Sequence, residues 1–249
     1  MWGDVVGGGG TLRVAVIGQG FMGRAHSLGW ERAAHLTGSR LRAELSVLSG
    51  RDPDALLRNA ALYGFKRFTA DWRSAVEAED VDLVDVCTPG SSHAEISLAA
   101  LAAGKHVLCE KPLANSFGEA CRLAAAAEEA ASRGVVTMVG FNYRRVPAIA
   151  AARRFVAEGR VGELRHVRGM YLQDWLVDPE FPLAWRLDAA EAGSGALGDI
   201  GAHVIDLVRF LTGQEIVEVA AMLETFVGER PLAGASSGLS AAPAVAPGA

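Results

Sequence analysis

In the stretch LCEKPLANS, residues 108–116, an acid, a base and a proline stand where a short apolar run, His106-Val107-Leu108-Cys109, stops. A run this poor in turn formers suits an interior strand of a covered sheet. Ligands of open α/β sheets bind at the carboxyl ends of the strands. Glu110 and Lys111 are therefore candidates to line a site, and the competing reading is a solvent-facing ion pair at a turn. A second set lies in GDIGAHVID, where Asp199 and His203 are four apart and Asp206 is three further on, so a helix sets all three on nearly one face. Histidine suits proton transfer because it titrates near neutrality. Two other readings stay open: Asp199 as no more than a helix cap, and Asp-x-x-x-His-x-x-Asp as metal ligands. No separate cysteine or histidine cluster supplies the remaining ligands, so no metal is expected.

A third candidate is VAVIGQGFMG, in which Gly18, Gly20 and Gly23 follow a strand-like run and open a helix. In that context the first glycine allows a tight turn, the second lets backbone approach a pyrophosphate, and the third permits close helix packing. Gly18, Gln19, Gly20, Phe21, Met22 and Gly23 would then surround the phosphates, with amides at the helix N-terminus donating to them. The competing reading is an ordinary glycine-rich turn. At the end of the second strand an NAD-specific site places Asp or Glu on the ribose, whereas this chain has Ser49-Gly50-Arg51. Without that carboxylate a 2′-phosphate meets no repulsion, and Ser49 and Arg51 can donate to it, which favours NADP over NAD. Arg51 can equally stack on adenine.

The elements that must carry these groups follow from pattern. The chain has 249 residues, half of them hydrophobic, enough for one large domain or two modest ones. Its formal net charge of −5, with scattered Lys and Arg, offers no basic stripe for a phosphate backbone, so a small metabolite suits it better than nucleic acid. From Leu12 to Asn142 short apolar runs alternate with Ala-rich helical stretches, as in βαβ units. The strand candidates are LRVAVIG, AELSVLS, KRFT, VDLVDVCTP, HVLCEKP and VVTMVGFN. Between them, Asp52 serves as an N-cap ahead of Pro53, and Gly104 closes the helix that begins near SSH. After Asn142 a second domain, 143–230, is expected from the helices PAIAAARRFVAEGRVG and GDIGAHVIDLVRFLTG and the strands ELRHVRGMYLQDWL and EIVEVAAMLETFV. In the second helix Ile200, Val204, Leu207, Val208 and Leu211 recur at helical spacing. Residues 1–11 read as a flexible leader and 231–249, rich in Ala, Gly, Ser and Pro, as a disordered tail. Nothing reads as a secretory signal or as a run that spans a bilayer. Cys87, Cys109 and Cys121 lack paired spacing, which points to free thiols in the cytoplasm.

The glycine loop, CTPGSSH, AGKHVLCEKPLA, GFNYRRVPA and GALGDIGAHVID, in this order, resemble the Gfo/Idh/MocA family of oxidoreductases over about Leu12 to Val227. The resemblance implies a doubly wound parallel Rossmann sheet over 12–142, followed by an α+β domain with a mainly antiparallel sheet. It implies oxidation or reduction of a secondary alcohol or carbonyl on a sugar, an inositol or a related polyol. Glu110-Lys111-Pro112 becomes the family's EKP motif, often with a cis Lys-Pro peptide. Lys111 would lie beside the nicotinamide and the reacting hydroxyl, and Glu110 would hold Lys111 or contact the nicotinamide ribose. His203 would take the hydroxyl proton, Asp199 would bind or orient the substrate, and Asp206 would support from behind. Thr88, Pro89 and His93 would touch the cofactor, although Ser91 and Ser92 can simply start a helix. Asn142, Tyr143 and Arg144 would line the cleft or form a hinge, and Trp185 and Arg186 would wall the substrate or only pack.

Family members are usually longer, with further strands completing the second sheet, and the match stops after LETFVGERPL. That suggests an incomplete C-terminal domain, and with it an alternative to the enzyme: a non-catalytic nucleotide-binding protein or inactive remnant. The family's oligomers are commonly built on the C-terminal sheet, which leaves a homo-oligomer as the candidate assembly.

Overall fold

The computed structural model describes residues 10–232, so most of the leader and most of the tail lie outside the described residues. The described chain forms two compact units that part between Gly140 and Phe141. The first comprises β1 (Thr11–Ile17), α1 (Phe21–Thr37), β2 (Arg42–Ser49), α2 (Pro53–Tyr63), β3 (Arg67–Thr69), α3 (Trp72–Glu77), β4 (Leu83–Val86), α4 (His93–Ala102), β5 (His106–Cys109), α5 (Phe117–Ala131) and β6 (Thr137–Val139). All six strands pair in parallel in the order β3-β2-β1-β4-β5-β6. This is the doubly wound order of dinucleotide-binding sheets, with the reversal of strand order falling between β1 and β4.

Alternation along the strands divides the core. Val14 and Val16 of β1 pack on one face with Leu48, Leu56, Ala60 and Leu83. Ala15 and Ile17 pack on the other with Val84, Val86, Ile96 and Ala100. Successive side chains of a strand point to opposite faces, so near-continuous apolar runs fill both layers. Punctuation works as expected. The Asp52 carboxylate accepts from the amides of Asp54 and Ala55 with Pro53 at the start of α2, and Gly104 adopts a left-handed conformation just past α4. Ser116 and Glu119 form a reciprocal capping box that starts α5 where LCEKPLANS ends.

The second unit contains α6 (Pro147–Ala157), a short α7 (Ala189–Ala192) and α8 (Ala202–Thr212). Here the structure departs from expectation. Among the described residues the ladders all belong to the parallel sheet, and neither ELRHVRGMYLQDWL nor EIVEVAAMLETFV forms one. A strand needs a neighbour for its amides and carbonyls. Along these segments Leu172, Val217, Met222 and Phe226 are largely exposed, and an isolated bridge outside them joins Leu183 to Leu232. The helix expected over GDIGAHVIDLVRFLTG opens with a π-helical turn, Leu197–Gly201, before α8. The buried side chains of α8 are the polar His203 and Asp206, while the expected aliphatic stripe is only partly covered.

Replacing Leu48, 1% exposed at the centre of one layer, with alanine is expected to lower the unfolding free energy by about 2–5 kcal/mol, read from urea denaturation.

Candidate active site

Register aligns the loops of the first unit. Ile17 pairs with Val86 and Val86 with Cys109, so the turns after β1, β4 and β5 leave the sheet side by side at its carboxyl edge. In the first turn Gly18 has φ +115°, a conformation that disfavours a side chain, and a Cβ there would come within 2.6 Å of the Cys87 carbonyl. A Cβ on Gly23 would lie 1.7 Å from the Gly18 carbonyl, so α1 packs directly on the turn. Gly20 has open space around it and caps α1 without a side-chain hydrogen bond. The first amides of α1 are thus left for an anion, and the turn fits a dinucleotide pyrophosphate. Gln19 is turned away from this space, donating through Nε2 to the Asp52 carbonyl, while Asn59 donates to the Gln19 carbonyl. Phe21 is exposed and Met22 partly so, the latter packing toward the β2 layer.

At the end of β2 the two proposed 2′-phosphate donors separate. Ser49 is 1% exposed and is enclosed between β1 and β3, whereas Arg51 is exposed beyond it. A hydroxyl so enclosed offers a ligand no face, so of the two only Arg51 is open to solvent. The Asp52 carboxylate is engaged by its cap.

After β4, Thr88 and Pro89 are partly exposed and Ser92 donates to the Thr88 hydroxyl and the Pro89 carbonyl. His93, expected against the cofactor, is instead buried: Nδ1 lies 2.7 Å from the Pro112 carbonyl and Nε2 lies 2.8 Å from the Thr88 carbonyl. After β5, the Lys111–Pro112 peptide is cis and Lys111 is partly exposed. Glu110 is buried and is met by His26 of α1, whose Nε2 lies 3.1 Å from Glu110 Oε1.

His26 also sits 3.0 Å through Nδ1 from both carboxylate oxygens of Asp85, a fully buried residue of β4. Trp30 donates its indole N–H to Asp85 at 2.6 Å and the Cys87 thiol lies 3.4 Å from it. Burial is the largest single influence on His26 and lowers its pKa. The hydrogen bonds and charges of Asp85 and Glu110 together outweigh it and push the ring up to about 10. Burial, reinforced by the Asp85 charge, pushes the Cys87 thiol well up, and it pushes Cys109 up to about 12. His26, Asp85 and Cys87 also place possible ligand atoms within 4.8 Å of one another. In the structure these atoms are hydrogen-bonded to one another, the Asp85 carboxylate meeting both the His26 ring and the Cys87 thiol.

In the second unit His203 is buried among aromatic rings: Tyr143 at 4.4 Å between centroids, Tyr171 at 6.3 Å and Phe141 edge-on at 6.4 Å. The Tyr143 and Tyr171 hydroxyls lie 2.6 Å apart. That bond, then desolvation and the charges of Tyr171 and Asp199, push the Tyr143 phenol up to about 12. Asp199, on the π-helical turn, lies 3.9 Å from Arg186, which stacks on Trp185. Asp206, expected to support His203, is gripped by Arg144, whose Nε donates at 2.8 Å, so it ties Asn142–Arg145 to α8. Asp199 and His203 thus share a neighbourhood with Tyr143, while Asp206 serves the scaffold. His26, Asp85 and Tyr171 were absent from the expected site. The signal for the first two was an acid inside the apolar VDLVDVC, which needs a buried partner.

Against known proteins, the model described as the oxidoreductase family with an NAD-binding Rossmann fold, GFO_IDH_MocA, matches residues 12–141. The GFO/IDH/MocA C-terminal domain matches 149–242, which carries the likeness past Val227, where the motifs stop. Levoglucosan dehydrogenase of Pseudarthrobacter phenanthrenivorans is 44% identical over 223 residues, covering 89% of this chain and 56% of that protein. Among solved structures, an oxidoreductase domain protein from Kribbella flavida superposes with a TM-score of 0.87 at 58% identity, over 89% of this chain and 59% of that one. Levoglucosan dehydrogenase in complex with NADH and levoglucosan superposes with a TM-score of 0.85 at 44% identity, over 90% and 60%. The chain therefore spans under two thirds of the length of these relatives. Among the described residues no helix is long and apolar enough to cross a membrane.

An imidazole held protonated in the fold stabilises it fully below the ordinary value of 6.5, and the contribution is lost as pH rises toward about 10. The unfolding free energy from urea titrations should decline across that interval, and decline less steeply in His26→Gln. Equal slopes would contradict a charged ring.

Proposed function

The chain belongs to the GFO/IDH/MocA family of oxidoreductases, and from that premise we propose that it transfers a hydride between a nicotinamide dinucleotide and a secondary alcohol or carbonyl of a sugar, inositol or related polyol. The observation that carries this reading is the register that sets the glycine turn after β1 and the Lys111–Pro112 turn after β5 level with each other, on either side of the turn after β4, at the carboxyl edge of the sheet. The nicotinamide, when bound, accepts or returns the hydride. The Lys111 ammonium stabilises negative charge growing on the substrate oxygen. His203 takes the hydroxyl proton during oxidation and returns it during reduction, and Asp199 orients the hydroxyl. Thr88 and Pro89 border the dinucleotide, and Glu110 orients Lys111.

For the dinucleotide we favour NADP, on the absence of a ribose carboxylate after β2 and the exposure of Arg51. The relative whose complex is solved holds NADH. Segments 163–176 and 215–227 we read as strands of the family's antiparallel second sheet, from their apolar alternation, and a homo-oligomer built on that sheet belongs to the same reading. Two buried free thiols, Cys87 and Cys109, suit the cytoplasm.

A second reading, nucleotide binding without turnover, is favoured by the exposed apolar residues of those two segments. The two part in one experiment: NADH fluorescence titration beside absorbance assays on a polyol and sugar panel that includes levoglucosan. Binding with turnover supports the enzyme, and binding alone supports the second reading. For the enzyme, Lys111→Ala and His203→Ala are each expected to lower kcat by about 10²–10⁴-fold with NADH affinity retained. Near-normal kcat in Lys111→Ala would refute the assignment. Separately, Arg51→Ala should weaken NADPH by about 10-fold or more while sparing NADH. Tighter binding of NADH than NADPH to the native chain would end the NADP preference.

A further inference from the structure

We propose that Lys111 is aimed by two imidazoles, the partly buried His26 acting through the Glu110 side chain and the buried His93 acting through the Pro112 carbonyl, and that both are positioning residues for the chemistry at Lys111. The inference deepens the reading of Lys111 given above and rests on it.

Three consecutive residues carry the argument. Glu110 leaves β5 with its amide still in the ladder, donating to the Val86 carbonyl at 2.9 Å. Its carboxylate turns inward against Gly140, where a Cβ would lie 2.7 Å from Oε1, and meets His26 Nε2 at 3.1 Å. Two residues on, the Pro112 carbonyl meets His93 Nδ1 at 2.7 Å, and the far side of that ring reaches the Thr88 carbonyl at 2.8 Å. Lys111 is the residue between the two anchors. The direction in which a side chain leaves the chain is set by its backbone, so anchors on the residues before and after Lys111 help fix where its stem begins.

Each anchor is rooted in the sheet. His26 faces Asp85 on one side and Glu110 on the other, and Asp85 is further held by Trp30 and Cys87. A neutral imidazole donates at one nitrogen only and would aim a lone pair at the second carboxylate, so while both acids are ionised the protonated ring is the form that donates to each. Without that cation two buried carboxylates face each other, and Glu110 loses the reason to point inward. His93 opens α4 with its ring buried, so Pro112 is tied both to that helix and to the turn after β4. Neither imidazole needs contact with the substrate; each acts by fixing the backbone from which Lys111 projects.

The chain contains three lysines, Lys66, Lys105 and Lys111. Reductive methylation with ¹³C-formaldehyde therefore yields three side-chain dimethylammonium signals beside the terminal amine, and the Lys111 signal is the one lost in Lys111→Arg. The Lys105 ammonium, bonded to the carbonyls of Ala78 and Val81, reports on the opposite end of the sheet. His26→Gln and His93→Gln are each expected to shift or broaden the Lys111 signal while the Lys105 signal stays in place. Glu110→Gln, which keeps the side-chain volume, should act in the same direction as His26→Gln. In turnover with levoglucosan as probe, kcat should fall by about 10–100-fold with nucleotide KM essentially unchanged, as expected of a misaimed group. An unmoved Lys111 signal in both histidine variants would overturn the inference. Because the spectrum is read without turnover, absence of activity in the native chain counts against the proposed reaction, while the Lys111 signal still decides for or against the two imidazoles.

Discussion

Parallel hydrogen bonding between β1, β4 and β5 is the constraint from which the site follows. Ile17, Val86 and Cys109 stand level across the sheet, and each is the last residue of its strand. Chain leaving a parallel strand must turn back over a face of the sheet, so three turns begin at one height on neighbouring strands. The glycine turn, the Thr88–Pro89 turn and the Glu110–Lys111–Pro112 turn occupy those places. Both layers of the core serve this edge: Val14 and Val16 anchor one face, Ala15 and Ile17 the other, and the helices they carry bring His26 and His93 to the same turns.

Both units bury polar groups that need partners. In the first, Asp85 is fully buried in a sheet otherwise made largely of aliphatic side chains, and it is tolerated because an imidazole, an indole and a thiol converge on it. In the second, the buried side chains of α8 are His203 and Asp206. Arg144 accounts for Asp206, and an aromatic enclosure of Tyr143, Tyr171 and Phe141 surrounds His203. The π-helical turn ahead of α8 widens the backbone where Asp199 sits, a departure from regular geometry often met at functional sites.

Much of this was legible in the sequence because it rests on local rules. Six strand runs, the Asp52 cap, the Gly104 terminus and the glycine turn depend on residues close in the chain, and all stand where the pattern put them. What escaped depends on contacts across long separations. His93 reads as a cofactor ligand until Pro112 is seen beside it, nineteen residues away. Asp206 reads as a companion to His203 until Arg144 is seen to hold it. Ser49 reads as a phosphate donor until its neighbours on both sides enclose it. The runs at 163–176 and 215–227 have the composition of strands, yet a ladder also demands a neighbour, and composition is silent on that point.

The contact of His26 with two acids carries a consequence for how such a chain can change over time. Positions 26, 85 and 110 form a single unit of inheritance. An aliphatic residue at 85 takes from the imidazole, the indole and the thiol the acceptor they share, and an aliphatic one at 26 takes from both acids the ring that joins them, so drift at any one of them alone meets a barrier. Replacement becomes tolerable only when the members move together, and related chains should therefore keep the set whole or exchange it whole.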